Sequence, residues 1–129
     1  MRRVGVALTI MAACSGGADT AQEAARRYVA AWNAGDSGAI YDMLVERERK
    51  AWEEVVPYLP GGRQAPGSPR ERFASMIQQL WGDNRGSAEV VRVEATESRG
   101  VAVLKLRGNE DKVALVREDG GWWISLGAP

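Results

Sequence analysis

Ser87 divides this chain into two stretches with different rhythms. On its N-terminal side, apolar residues recur every three or four positions; beyond it they alternate with polar ones. A recurrence of about 3.6 marks one face of an amphipathic helix, and strict alternation marks a half-buried strand. A chain that changes once from the first rhythm to the second gathers its helices on one face of a sheet built afterwards. The expected class is therefore α+β. At 129 residues, the chain holds one domain of ordinary size.

The helical part carries its own punctuation. Thr20 and Glu23 have the spacing of a capping box, and Ala21, Ala24, Ala25, Tyr28 and Trp32 follow as one apolar stripe. Gly35 stops this helix, and Asp36 or Ser37 caps the next. The second helix is expected to run to Pro57, turning Ile40, Tyr41, Leu44, Val45, Trp52 and Val55 to the core. Its run Glu46-Arg47-Glu48-Arg49-Lys50 reads as a solvated face with a Glu46–Lys50 pair. Residues 57–69, rich in proline and glycine, read as a mobile connecting loop. Ser68, Pro69 and Glu71 then open a third helix, with Phe73, Met76, Ile77 and Leu80 on its apolar face and Gly82 as its stop.

After Ser87, Val91, Val93 and Ala95 alternate with Arg92, Glu94 and Thr96. Ala102, Leu104 and Leu106 likewise lie on the opposite face from Val101, Val103 and Lys105. The last two runs flank Asp119-Gly120-Gly121, a hairpin turn. Strands this close in sequence pair antiparallel, because parallel pairing needs a long crossover. The expectation is three helices followed by a meander of about four strands.

Composition removes several classes of function. Hydrophobic residues at 45% and charged residues at 26% are a globular balance. Lys+Arg and Asp+Glu number 17 each, and losing Arg2 and Arg3 with a leader would leave a net charge of −2. Such a body has no basic face for nucleic acid. The chain has no histidine and one cysteine, Cys14. Nucleophile machinery built on His is thereby excluded within the chain, and no residue set calls for a metal or a cofactor.

The first segment has a separate meaning. Arg2 and Arg3 precede an uncharged run from Val4 to Ala13, the layout of an export signal and too short for a membrane span. Met11, Ala12, Ala13 and Cys14 resemble the lipobox of bacterial lipoproteins. That resemblance implies a signal peptide over residues 1–13, acylation of Cys14 and a short tether over 14–19. It also implies a cell-envelope location, facing the periplasm from the outer membrane because Ser15, and not aspartate, follows the cysteine. Two or three acyl chains give stable anchoring where one does not. The alternatives are cleavage after Ala18, giving a soluble secreted or periplasmic domain, or a buried thiol at Cys14.

The body, residues 20–127, resembles the NTF2-like group of the cystatin-like α+β class, which includes SnoaL-like and DUF4878-like domains. The likeness rests on the helix–Gly35-Asp36–helix opening and on the closing hairpin with Trp122 and Ile124. It implies a cone of helices closed on a curved sheet, often around a pocket. The residues offered as pocket or ligand contacts are Tyr28, Trp32, Tyr41, Trp52 and Trp123. Catalytic members set an Asp–His or Asp–Tyr pair in the cone; here only Tyr28, Tyr41 and Asp42, with Glu94 more remotely, could serve. Each has a simpler reading as packing or surface, and no catalytic residue is assigned. The expectation is a non-catalytic binding or assembly domain for an apolar small ligand or a protein partner, with homodimerisation through the sheet as a further option. The alternative is a small isomerase or hydrolase of the SnoaL-like type. Trp122 is expected in the core and Trp123 on the opposite face.

Overall fold

A computed structural model describes residues 17–54, 58–59, 63–64, 67–81 and 86–127. The leader, Cys14 and the Gly82 stop lie outside the described residues. Helix α1 (Ala21–Ala34) starts where the capping box places it: Thr20 Oγ1 accepts the Glu23 N–H at 3.0 Å. It ends on Gly35, whose φ of 70° is left-handed and lets the N–H groups of Gly35 and Asp36 turn back to Trp32 and Ala31.

The predicted second helix is two helices, α2 (Ser37–Met43) and α3 (Glu46–Glu54). Leu44 between them is extended, at φ −66° and ψ 143°. It forms a parallel bridge to Ile124, and the Val45 N–H donates to the Ile124 carbonyl at 2.9 Å. The outer edge of the last strand thus takes backbone groups that a continuous helix would have spent internally. Leu44 and Val45 are fully buried as a result. The connector expected over 57–69 contains a short antiparallel pair, β1 (Tyr58–Leu59) with β2 (Arg63–Gln64). Helix α4 (Pro69–Trp81) opens on a reciprocal cap: the Ser68 N–H donates to Glu71 Oε1, and the Glu71 N–H to Ser68 Oγ.

Four strands follow, β3 (Ala88–Ala95), β4 (Arg99–Leu106), β5 (Asn109–Glu118) and β6 (Gly121–Ser125), antiparallel in sequence order. Arg107-Gly108 and Asp119-Gly120 all have positive φ, as two-residue hairpin turns that follow strand twist require. A bulge between Val90 and Arg92 interrupts β3, and Val91 stands out from the edge.

Register assigns the two faces. Ala102 opposes Val113, Leu104 opposes Asp111, and Leu115 opposes Ile124. Ala102, Leu104, Val113, Leu115, Trp122 and Ile124 share the face that packs on the helices, against Tyr28, Ile40 and Leu44. Trp122 is therefore core, as expected.

The two edges are closed differently. Ala18 exchanges both backbone hydrogen bonds with Trp122, at 3.1 and 2.8 Å, so that β6 is covered by Ala18 at one end and by Leu44–Val45 at the other. On β3, the side chain of Asn33 stands in for a strand residue. It donates to the Ala88 carbonyl at 3.0 Å and accepts the Ala88 N–H at 2.8 Å.

Candidate functional site

The residues proposed to line a pocket inside the cone are spread over several packing roles. Tyr28 and Trp32 lie 6.3 Å apart on α1, both buried, and the Trp32 indole N–H donates to the Gly86 carbonyl. Tyr41 and Trp52 both pack on Phe73 of α4, with ring centroids at 5.5 and 5.2 Å. That aromatic trio joins α2, α3 and α4, and the Tyr41 hydroxyl donates to the Arg49 carbonyl. Burial pushes the Tyr28 phenol up to about 12, helped by the negative charge of Asp111. Burial raises Tyr41 as well, followed by the charge of Glu53. Both phenols hold their protons more tightly than a free tyrosine, which makes them poor bases near neutral pH. Asp42 is exposed and forms a two-point bridge to Arg70, at 2.9 and 3.0 Å, tying α2 to α4. Trp123 does point away from Trp122. Its ring lies under the Arg49 guanidinium at 5.0 Å and its N–H donates to the Glu118 carbonyl.

One charged residue that sequence reasoning put in solvent is inside. Glu48 is only 3% exposed. Its carboxylate accepts the Ser125 hydroxyl and the Leu126 N–H, the latter at 2.9 Å. A run of mixed charges has no local feature that singles out its third member. The pairing depends on the break at Leu44–Val45, which rolls α3 against the end of β6.

Pairing across the sheet reveals a second surface. Glu94 opposes Val101, Val101 opposes Ala114, and Ala114 opposes Ser125, so these four form a single row crossing all strands. In the next row Arg99 opposes Val116, which opposes Trp123. Both rows lie on the face turned away from α1, and α3 reaches only its β6 end, where Glu48 and Arg49 meet Ser125 and Trp123. Between them runs an open trough of about 660 Å³, with Arg47 of α3 also on its lining. Small side chains at Ala114 and Ser125 create the depression, and Val101 and Val116 give it an apolar floor.

The charges around the trough are unequally satisfied. Glu94 is held by Arg92 at 2.6 Å, and that guanidinium keeps its carboxyl below the usual range. Arg47 reaches Glu118 at 3.5 Å. Arg99 has no carboxylate within ion-pair distance among the described residues. Of the residues named from the sequence, Glu94 lines this trough and Trp123 continues its second row. The remainder of the trough was not anticipated. Alternation marks Val101 and Val116 as outward-facing, but only the register shows that they adjoin Arg99 and Ala114.

No protein-family model matches the chain, and no curated protein is similar to it. Among solved structures, it is similar to a protein from Thiobacillus denitrificans assigned as a calcium/calmodulin-dependent protein kinase type II association domain. The TM-score is 0.52 at 16% identity, over 84% of this chain and 91% of that one. It is also similar to an NTF-2 like protein of unknown function from Silicibacter pomeroyi, with a TM-score of 0.39 and 17% identity over 80% and 85% of the two chains. The fold is the α+β, NTF2-like one: N-terminal helices packed on a four-stranded antiparallel sheet. At 16% identity the likeness to the first of these structures speaks for the fold alone and leaves function to the residues.

Proposed function

We propose that this is a lipid-anchored envelope protein whose NTF2-like domain is a non-catalytic binding or assembly module, working through the outer face of its sheet. The trough over Val101, Ala114 and Val116 carries this reading. It combines concavity, an apolar floor and convergent charged groups, the three features of small-molecule sites in general. The aromatics of the helical layer support the same division of labour, since Tyr41, Phe73 and Trp52 are spent on one another. The anchor rests on the sequence Met11-Ala12-Ala13-Cys14, and a tether ending at Gly17 beside Trp123 would hold the β5–β6 hairpin near the membrane. The neighbour's printed description as an association domain is compatible with an assembly role for the same surface.

Two measurements test the two parts. Native mass spectrometry of protein extracted gently from its own membranes should give a chain that starts at Cys14 and carries diacylglycerol. It should also carry non-covalent mass that Ala114→Glu removes without altering the melting temperature. An unacylated chain beginning at Asp19 would overturn the anchor. Retention of the same non-covalent mass by Ala114→Glu would move the working surface elsewhere.

A further inference from the structure

The trough also limits what can occupy it. β4 and β5 are paired on both sides along the rows that form its floor, so their backbone N–H and C=O groups are already spent within the sheet. A peptide laid across it would bring its own amides to a surface with no backbone partners for them, at a cost for each one left unsatisfied. A second copy of the chain would set hollow against hollow and leave the space between them unfilled, which close packing disfavours. A ligand with a long apolar body and few polar atoms has neither problem.

Charge then selects the head group. Glu94 is neutralised by Arg92, Arg47 shares Glu118, and Arg99 stands at the end of the apolar floor with no carboxylate partner among the described residues. The unspent group is one guanidinium, whose planar fork matches a carboxylate. Ser125 contributes little to such a head group, because its hydroxyl proton is committed to Glu48.

We infer that the trough binds a free, medium-chain aliphatic carboxylate, with the chain lying on Val101, Ala114 and Val116 and the carboxylate on Arg99. This rests on the sheet face being the working surface, and it adds the ligand class. The trough's volume of about 660 Å³ falls in the range of small-molecule sites. Because the trough is open, binding is expected to be modest and salt-dependent.

The test uses the full-length protein and three probes that share one ten-carbon chain: decanoate, decanol and decyltrimethylammonium. Calorimetric titration should find decanoate bound about tenfold more tightly than decanol, the effect of one charge-assisted contact, and the cation weakest of all. Arg99→Gln should erase the difference between decanoate and decanol while leaving the decanol affinity in place. Ala114→Leu, which fills the hollow, should weaken both. Both substitutions are at exposed positions, so an unchanged melting curve separates lost binding from lost folding. Equal affinities for decanoate and decanol, or an Arg99→Gln variant that still prefers decanoate, would overturn the carboxylate assignment while the sheet-face reading stands. If no probe binds and Ala114→Leu instead changes the sedimentation coefficient, the occupant is a second copy and this inference fails. If no probe binds and no trough variant changes either ligand or mass, both readings fail together.

Discussion

The two faces of the sheet come from the same four strands, yet they follow opposite rules. On the inner face, Leu104, Leu115 and Ile124 are at most 1% exposed and share a core with Ile40 of α2 and with Leu44 from the break between α2 and α3. On the outer face, Val101 is 36% exposed and Ala114 lies open beside Arg99 and Glu94. One substitution of the same kind therefore has different consequences on each face. Inner positions are decided by volume, and outer ones by what they leave available to something else. Val103 is the exception, since it sits on the outer face and is only 1% exposed. Its register partners are Arg92 and Lys112, whose long stems can cover it while their charges stay in water.

The sharpest way to break this comparison is to shorten one residue on each face. Ile124→Ala should cost about 3–4 kcal/mol, because a fully buried branched side chain leaves a cavity where the helices meet β6. Val101→Ala should cost less than about 1 kcal/mol in the same urea titration and should act on binding instead. Similar losses from the two variants would mean that the outer face is buried in the working protein.

Next in size is a pH effect confined to the inner layer. The Tyr28 phenol is raised from its ordinary value of 10 to about 12, mainly by burial, so the folded state keeps a proton that the unfolded chain releases. Its contribution is fully present below pH 10 and is lost as pH rises towards 12, for a total of about 2–3 kcal/mol. Stability measured by urea unfolding should fall across that interval. Tyr28→Phe should remove most of that fall, and an unchanged slope would show that the hydroxyl is not held in an apolar setting.

The smallest of the three effects concerns the join between the faces. Glu48→Ala strands the Ser125 hydroxyl and the Leu126 N–H and should cost about 2 kcal/mol. Glu48→Gln keeps an acceptor for one of them and should recover part of that loss. If both variants melt like the parent protein, the carboxylate contributes nothing to holding α3 on β6. Because Ser125 also lines the trough, Glu48→Ala should loosen the outer face without touching it directly.

How far the sequence reveals this architecture depends on the range of the interaction that decides each feature. Thr20, Ser68 and Asp119-Gly120 are local signals, and the structure uses all of them where they stand. The inner face of β4 was legible for the same reason, since alternation is a property of neighbours. On β3, by contrast, the bulge turns Val90 inward and leaves Val91, which the alternation grouped with Val93, 51% exposed. The break at Leu44–Val45 was not legible. The apolar spacing from Ile40 to Trp52 suits a helix throughout, and what interrupts it is the unpaired edge of β6 near Ile124. Glu48 escaped notice because its partners lie 77 and 78 residues further along the chain. The trough depends on four strands being in a particular register, which no single stretch encodes.

The exchange of two hydrogen bonds between Ala18 and Trp122 has a mechanical consequence. Tension applied to the chain at Gly17 would meet that residue pair first, at the margin of the sheet, together with the packing of the buried Ala18 methyl group. With two bonds and one buried methyl group behind it, the contact is placed to act as a fuse. Its parting would uncover the Trp122 end of β6 while leaving the separate Leu44–Val45 cover in place. A domain hung from this end would thus report tension on its tether by opening one short stretch of strand, with its core still folded.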